Sequence, residues 1–348
     1  MTTQITETTT QPQRKTNPTI TTYSQWRLFR NCRRSCEYRY IHGIVPLEND
    51  PNLAFGSLAH QCLEVWHRDR NLDLVLDHID RSYPNRAQEP DQKKDWHLAT
   101  SMMQGYAARY PAEEFEIIAL EKTFEGDIRN PATGAASRTF RLAGKVDGIV
   151  RIKEENFLLE NKTSSLLDAS YLDRLWTDFQ ITLYAYYVEK SLGIPIKGII
   201  YNILVKARLQ QGKGETEFEF EDRRASLAAK SKSGNSSAKR KLPESDEDFH
   251  KRLLDKYDEP TMFHREMLYL SRDQYTNLRA ELWELTQAMK DAIRRGSFYQ
   301  NTAYCFQYGR PCGYYPLCKS NGNPNILNNF YLRKEPHEEL EIGPDALC

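Results

Sequence analysis

The sequence predicts an α/β protein in which helices flank a small mixed sheet. Helical hydrophobic patterns occupy both halves of the chain, whereas apolar runs typical of strands occupy the middle and one later position. The predicted helices cover about residues 23–40, 53–68, 72–83, 92–110, 173–192, 247–257 and 271–296. The predicted strands cover about residues 114–125, 139–152, 156–163, 197–205 and 262–269, and a short turn joins the second and third as a hairpin.

Composition predicts one main domain with solvated ends. The chain has 348 residues, and its apolar fraction of 39% is below the ~45–50% that is usual for globular chains. We therefore expect a disordered tail over residues 1–20 and a loosely held tail over residues 321–348. Between them lies a single domain over residues 21–320, whose core covers about residues 54–206.

An interruption separates the predicted core from the later helices. Residues 207–245 lose the regular hydrophobic pattern, and within them residues 223–241 contain seven basic residues and no acidic residue. Serine, glycine and asparagine lie between these charges. We interpret the segment as a mobile basic insertion.

Charge and hydropathy exclude several classes of protein. Lys+Arg and Asp+Glu number 48 each, which excludes a globally basic surface but allows local basic patches. No apolar run approaches the ~18 residues of a membrane helix, and the N-terminus lacks the apolar segment of a secretory signal. We therefore expect a cytoplasmic protein without a membrane partner.

The first candidate site consists of two carboxylates and a lysine on neighbouring strands. Side chains alternate along a strand, so Glu160 and Lys162 project from one face while Asn161 faces away. Asp147, on the preceding strand, can stand beside Glu160. Carboxylate oxygens are ligands for Mg²⁺ or Mn²⁺, and a lysine beside them can stabilise phosphate charge. The alternative is a cross-strand salt bridge on a solvated hairpin.

Two helices carry further candidate residues. His60 and Glu64 share a helix face, so His60 could supply a nitrogen ligand while Glu64 fixes the ring, or His60 could be a half-buried side chain without that role. Gln180 and Tyr184 share a face of a later helix, where both could hydrogen-bond a DNA backbone. Their alternative is an ordinary amphipathic helix.

The cysteines predict a metal or cluster site. Their number is odd and the chain is large, so a disulfide framework is improbable. Cys305, Cys312 and Cys318 fall close together near the C-terminus, with Cys32 or Cys36 as a fourth ligand, and such thiolates bind zinc or an iron–sulfur centre. The alternative is unligated thiols in a polar segment.

The first predicted helix is strongly basic. It carries several arginines against the single acidic residue Glu37. Arg27, Arg30 and Arg34 are the side chains that we predict to contact a nucleic-acid backbone.

Taken in chain order, these motifs resemble the PD-(D/E)XK nuclease superfamily, and within it the RecB-like iron–sulfur exonucleases that include CRISPR-associated and phage-encoded members. The similarity extends from Ser24 to Cys318, with four departures. Arg33 stands where the family usually has proline, and Cys36 lies close enough to compete with Cys32 as a ligand. The cysteine trio lacks the C-x2-C spacing of many CRISPR-associated members, and the basic insertion near residues 225–241 is no part of the family core. The matching residues are Ser24, Cys32, Tyr38 and Tyr40, Gly56 and His60, Gly144 and Asp147, Glu160 and Lys162, Gln180 and Tyr184, and Cys305, Cys312 and Cys318.

The resemblance implies a restriction-endonuclease-like core whose helical N- and C-terminal parts, residues 23–42 and 300–320, are stapled by an iron–sulfur cluster. The implied activity is that of a divalent-metal-dependent DNA exonuclease. Its implied metal ligands are His60, Asp147 and Glu160, its implied catalytic lysine is Lys162, and its implied substrate-holding residues are Gln180 and Tyr184. The implied ligands of a structural [4Fe-4S] cluster, or alternatively of Zn²⁺, are Cys32, Cys305, Cys312 and Cys318.

The resemblance also implies the biological setting. DNA ends and single strands would be the substrate, in a bacterial or phage-infected cell, with a recombination or CRISPR-adaptation protein as a partner. Two rival functions fit the same residues. One is a cluster- or zinc-stabilised DNA-binding module without cleavage, and the other is an RNA-directed nuclease.

Overall fold

The computed structural model describes residues 18–48, 51–307 and 309–340, without the side chain of residue 339. Ten strands and twelve α-helices lie in these ranges. The strands are β1 (Thr19–Thr21), β2 (Ile44–Pro46), β3 (Glu116–Arg129), β4 (Ala136–Ile152), β5 (Glu155–Ser164), β6 (Gly198–Val205), β7 (Phe263–Tyr269), β8 (Phe306–Gln307), β9 (Arg310–Pro311) and β10 (Tyr331–Arg333). The helices are α1 (Tyr23–Asn31), α2 (Arg33–Cys36), α3 (Pro51–Asp69), α4 (Leu72–Ser82), α5 (Pro90–Arg109), α6 (Ala169–Leu175), α7 (Phe179–Leu192), α8 (Glu217–Lys230), α9 (Asp246–Tyr257), α10 (Arg272–Arg295), α11 (Tyr315–Lys319) and α12 (Pro324–Phe330).

A six-stranded mixed sheet forms the centre of the fold. The long strand β4 pairs with β3 along one edge, and along its other edge it pairs with β1 and then with β5. Strand β6 lies parallel to β5, and β7 closes the sheet antiparallel to β6. Almost every residue of β6 is buried, because helices cover both faces of the sheet at this strand. The predicted mixed sheet flanked by helices is therefore confirmed.

Helices pack on the two faces of the sheet as two separate apolar clusters. On one face, α1, α7 and α10 surround a core that includes Trp26, Leu183 and Met289. On the other, α3, α4, α5 and α9 surround a core that includes Leu63 and Tyr257. None of the helices in the described ranges is long and apolar enough to cross a membrane.

Two predicted helices are interrupted. The segment predicted over residues 23–40 breaks at Cys32, whose backbone is extended, and it ends in a π-helical turn over Glu37–Ile41. The segment predicted over residues 173–192 divides into α6 and α7, because the Asp178 side chain accepts a hydrogen bond from the Gln180 N–H at 3.0 Å and begins a new helix.

The predicted tails differ from the structure at their inner ends. Residues 19–21 form β1, which pairs in parallel with Phe140–Leu142 of β4. Residues 321–340 contain α12 and β10, and β10 pairs antiparallel with β2. Both pairings join segments far apart in sequence, so no local pattern announces them. Residues 1–17 and 341–348 lie outside the described residues.

The segment predicted as a mobile basic insertion contains an α-helix. Helix α8 begins with a capping box between Thr216 and Glu219. Ion pairs of Arg223 with Glu215 and of Arg240 with Glu217 fix the N-terminal half of the helix. No residue of α8 is buried, so the helix stands on the surface of the domain. The prediction missed it because its helix-starting signal is polar rather than hydrophobic.

Candidate active site

The pairing of β4 with β5 brings the two predicted carboxylates together. Gly148 lies opposite Leu159 in this antiparallel ladder, so the adjacent residues Asp147 and Glu160 form the next opposed pair along the two strands. The backbone N–H of Asn161 donates a hydrogen bond to Asp147 Oδ2 at 2.7 Å. The Asp147 side chain is therefore fixed against β5.

Lys162 lies on the same face of β5 as Glu160. Its Nζ donates a hydrogen bond to Glu160 Oε1 at 2.6 Å, and the Glu160 side chain is 5% exposed whereas that of Lys162 is 27% exposed. The carboxylate is thus enclosed while the ammonium group remains accessible. The predicted grouping of Glu160 with Lys162 matches this arrangement.

Helix α3 brings His60 to the carboxylates. His60 Nδ1 lies 3.2 Å from Asp147 Oδ2. At Gly56 the helix passes close to β5, since a side-chain carbon there would lie 3.5 Å from Thr163 Oγ1, an ordinary van der Waals contact. Glu64 does not fix the His60 ring as predicted, because its carboxylate pairs instead with Arg68 one turn later at 3.3 Å.

The electrostatics of this group reflect its burial. Burial raises the pKa of Glu160 to about 7; Lys162 lowers it and the Asp147 carboxylate raises it further. Burial opposes ionisation of Asp147, but His60 and the Asn161 N–H hold the pKa of Asp147 below its usual range. Burial also opposes the cation of Lys162, yet Glu160 and Asp178 raise its pKa. Lys162 therefore remains charged at neutral pH.

The two predicted substrate-holding residues on α7 differ in accessibility. Tyr184 is 7% exposed and its ring packs edge-on against Phe124 and Tyr23. Its hydroxyl interacts with Gln180 and lies within electrostatic reach of Glu160. Tyr184 thus lies beneath the carboxylates, whereas Gln180 is half-buried at the start of the helix.

The three predicted DNA-contacting arginines have different surroundings. Arg30 forms an ion pair with Glu281 at 2.9 Å, and Arg34 forms one with Glu37 at 2.9 Å. Arg27 lines a groove beside Lys162. Arg27 is therefore the most available of the three for an anionic ligand.

Four of the predicted cluster cysteines come from two segments that lie far apart in the sequence, Cys32 from one and Cys305, Cys312 and Cys318 from the other. The Asn301 N–H donates to Cys32 Sγ at 3.5 Å, and the Asn301 carbonyl accepts from Cys305 Sγ at 3.8 Å. Burial raises the pKa of Cys312, and the thiols of Cys305 and Cys32 add to the rise. Burial likewise raises the pKa of Cys318, and the other three thiols raise it further. All four sulfur atoms are therefore close enough to interact electrostatically.

Cys32 and Cys36 have opposite environments. Burial opposes the Cys32 thiolate, but hydrogen bonds from Asn301, Ser35 and Arg34 hold the pKa of Cys32 below its usual value. The Cys36 thiol donates to the Gln25 carbonyl at 3.8 Å within the apolar core, and burial raises its pKa to about 12. Anionic sulfur is stabilised at Cys32 and not at Cys36.

A buried polar network on the opposite face of β5 was not predicted. The Asn161 side-chain oxygen accepts a hydrogen bond from Asn202 Nδ2 at 2.8 Å, and the same Nδ2 donates to the Tyr106 hydroxyl at 3.0 Å. Arg265 donates to Tyr106 at 3.0 Å and pairs with Glu113 at 2.6 Å. The sequence signal was Asn202, a polar residue inside an otherwise apolar buried strand.

In the described ranges, no group of three or more His, Cys, Asp or Glu side chains is arranged as a complete metal site. Asp147 Oδ2 instead contacts His60 and the Asn161 N–H, and Glu160 Oε1 contacts Lys162. By their chemistry, two buried carboxylates are donors of the type that Mg²⁺ or Mn²⁺ takes, and the imidazole is a donor that Mn²⁺ accepts. The four cysteines provide the thiolate donors that an iron–sulfur cluster or zinc requires.

A mixed sheet with paired carboxylates and a lysine on adjacent strands defines a class of metal-dependent nucleases. The family model of the PD-(D/E)XK nuclease superfamily matches residues 21–319. The chain belongs to this superfamily, whose members are nucleases that use Mg²⁺ or Mn²⁺. No curated protein matches the chain. The predicted superfamily is confirmed, and membership implies a DNA substrate.

Proposed function

We propose that the protein is a divalent-metal-dependent deoxyribonuclease that acts as an exonuclease on DNA ends and single strands. The observation that carries the proposal is the convergence of Asp147, Glu160, Lys162 and His60 on one edge of the β4–β5 ladder. Asp147, Glu160 and His60 would hold the cation, which supplies an activated water and a Lewis acid for the scissile phosphate.

The remaining residues act through charge and position. Lys162 stays protonated because Glu160 and Asp178 offset the effect of burial, so it would donate a hydrogen bond to phosphate and stabilise developing negative charge rather than serve as a base. Tyr184 would support the carboxylates from below. Gln180, which is less buried than Tyr184, would reach the DNA backbone.

We further propose that Cys32, Cys305, Cys312 and Cys318 bind a structural [4Fe-4S] cluster. The mutual electrostatic contact of the four thiols and the hydrogen bonds that favour the Cys32 thiolate support this ligand set. A cluster here would tie the first helices to the segment after α10. Its role would be to stabilise the fold. Zinc is the alternative occupant.

The cell type and the partner remain part of the proposal. A cytoplasmic enzyme of a bacterial or phage-infected cell, working with a recombination or CRISPR-adaptation protein, follows from the resemblance to RecB-like exonucleases. The rival functions are a DNA-binding module without cleavage and an RNA-directed nuclease.

Cleavage of end-labelled single-stranded DNA with Mn²⁺ or Mg²⁺ tests the proposal. We expect cleavage that EDTA abolishes and that falls at least 100-fold in Asp147→Asn and Glu160→Gln, since general acid–base and electrostatic groups contribute factors of about 10² or more. Glu155→Gln, which removes an exposed carboxylate from the start of the same strand, is the matched control. Full activity in Asp147→Asn and Glu160→Gln would disprove the proposed active site. If the wild type cleaves neither DNA nor RNA, the DNA-binding module without cleavage is favoured. If it cleaves RNA alone, the RNA-directed nuclease is favoured.

A further inference from the structure

A groove of about 470 Å³ opens directly beside Lys162, between α1 and the α6–α7 segment. Its basic side chains are those of Arg27, Arg30, Arg174 and Lys162, and its acidic side chain is Asp178. The groove is thus continuous with the active site and carries an excess of positive charge. An anionic ligand that reaches Lys162 would pass along this surface.

The arginines of the groove differ in their partners. Arg30 is neutralised by Glu281 at 2.9 Å. Arg174 donates to the Ser170 hydroxyl at 3.0 Å, and neither Arg174 nor Arg27 forms an ion pair with a carboxylate in the part of the chain that the structure describes. Phosphate groups are the anions that a pair of free guanidinium groups binds well.

Aromatic rings lie between these charges. The Tyr171 ring lies beneath the Arg174 guanidinium, 5.6 Å from the ring centroid, and its hydroxyl is within electrostatic reach of Lys162 and Glu160. The Phe179 ring stacks on Tyr23 with centroids 6.3 Å apart. Tyr171 is half-buried, so its ring is held in place beside the carboxylates while part of it remains accessible from the groove.

We propose that this groove is the subsite for an unpaired nucleotide of DNA next to the cleaved phosphodiester, with its base stacked on Tyr171 and its phosphates on Arg27 and Arg174. This inference rests on the proposed function for the position of the cleaved bond. Base stacking on a protein ring combined with basic backbone contacts is the way in which proteins bind single strands. A base within a duplex cannot present its face to the ring without leaving the stack. The strand is therefore single at the point of cleavage.

The test measures binding rather than cleavage. The full-length protein in EDTA is titrated into a fluorescent single-stranded oligonucleotide and into the blunt duplex of the same sequence. We expect Tyr171→Ala to weaken single-strand binding about fivefold or more, since base–aromatic stacking contributes on this scale, and to leave duplex binding unchanged. Tyr171→Phe keeps the ring and should bind as the wild type does. Arg27→Ala should also weaken single-strand binding, whereas Arg294→Ala, which removes a 72% exposed arginine from α10, should not.

Oligonucleotides with one abasic position identify the stacked base. At one position near the end of the oligonucleotide, the affinity losses caused by the abasic substitution and by Tyr171→Ala should not be additive, because both changes remove the same contact. Additive losses at every position, or an equal loss on the duplex, would overturn the stacking assignment. The binding assay without metal is independent of the cleavage assay, so failure of the groove proposal and failure of the nuclease proposal give different results.

Discussion

Asn161 joins the active site to the protein interior through both of its polar groups. Its backbone N–H donates to Asp147 Oδ2 at 2.7 Å, while its side-chain oxygen accepts from Asn202 Nδ2 at 2.8 Å on the opposite face of the sheet. The side chains of Asn161 and Asn202 are both buried. The position of the β5 edge that carries Glu160 and Lys162 therefore depends on a buried hydrogen bond.

This relationship predicts the effect of Asn202→Leu. The variant leaves the Asn161 side-chain oxygen Oδ1 without its donor in the interior, and we expect a loss of about 1–3 kcal/mol in the free energy of unfolding. Cleavage should fall as well, because the support of β5 beneath Asp147 is lost. Urea denaturation measures the first effect, with Asn325→Leu on the exposed face of α12 as a control expected within about 0.5 kcal/mol of the wild type. Unchanged stability of Asn202→Leu would contradict the role of the network.

His67 predicts a loss of stability in acid. Its side chain is 1% exposed beside Glu113, and burial lowers its pKa to about 4, whereas an unfolded histidine titrates near ~6.5. Between these two values the unfolded chain binds a proton that the folded protein does not. The free energy of unfolding should therefore fall by about 3 kcal/mol as the pH decreases from ~6.5 to ~4, with no contribution from this group above ~6.5.

Urea midpoints at pH 7.5 and pH 4.5 check this expectation. His67→Phe keeps an aromatic ring between Tyr106 and Phe115 and removes the titrating group. The variant should lose less stability on acidification than the wild type does. The same pH dependence in both proteins would show that other groups cause the acid sensitivity.

We expect the cysteine-to-serine variants to fall into two classes. Loss of any cluster ligand should remove bound iron and destabilise the fold, since binding of a structural metal contributes folding free energy. The variants expected to lose iron are Cys32→Ser, Cys305→Ser, Cys312→Ser and Cys318→Ser. Cys36→Ser and Cys62→Ser alter thiols buried in apolar clusters and should keep the iron.

Iron and sulfide analysis after anaerobic purification, together with visible absorbance, measures these outcomes. If the purified protein contains one zinc and no iron, the four cysteines bind zinc and not an iron–sulfur cluster. Iron lost from Cys36→Ser but retained in Cys32→Ser would reverse the assignment of the fourth ligand.

We expect helix α8 to be dispensable for the stability of the domain. The backbone N–H of Glu215 donates to the Lys241 carbonyl at 2.9 Å, so a short Gly-Ser linker in place of residues 216–240 can join Glu215 to Lys241. Because no residue of α8 is buried, we expect a melting temperature close to that of the wild type. DNA affinity should fall and depend less steeply on salt, since basic residues are removed. A large drop in melting temperature would show that the helix stabilises the domain.

The sequence alone predicted the parts of the protein that depend on local pattern. Period-two alternation predicted that Glu160 and Lys162 share a face of β5, and the structure places Lys162 Nζ 2.6 Å from Glu160 Oε1. Hydrophobic periodicity likewise predicted α3, α5 and α10 within a few residues of their ends. These features are accessible to sequence analysis because each is determined by the spacing of neighbouring residues along one element.

Only the tertiary structure decided the features that join distant segments. The pairing of β1 with β4, the pairing of β10 with β2 and the groove between α1 and α6 all bring together residues that no local pattern relates. The same holds for Arg30, whose charge is balanced by Glu281 on α10. The physical reason is that the burial of a side chain, its hydrogen-bond or ion-pair partner and the charge around it are all set by the residues packed against it. Those residues come from elements that are far away in the sequence.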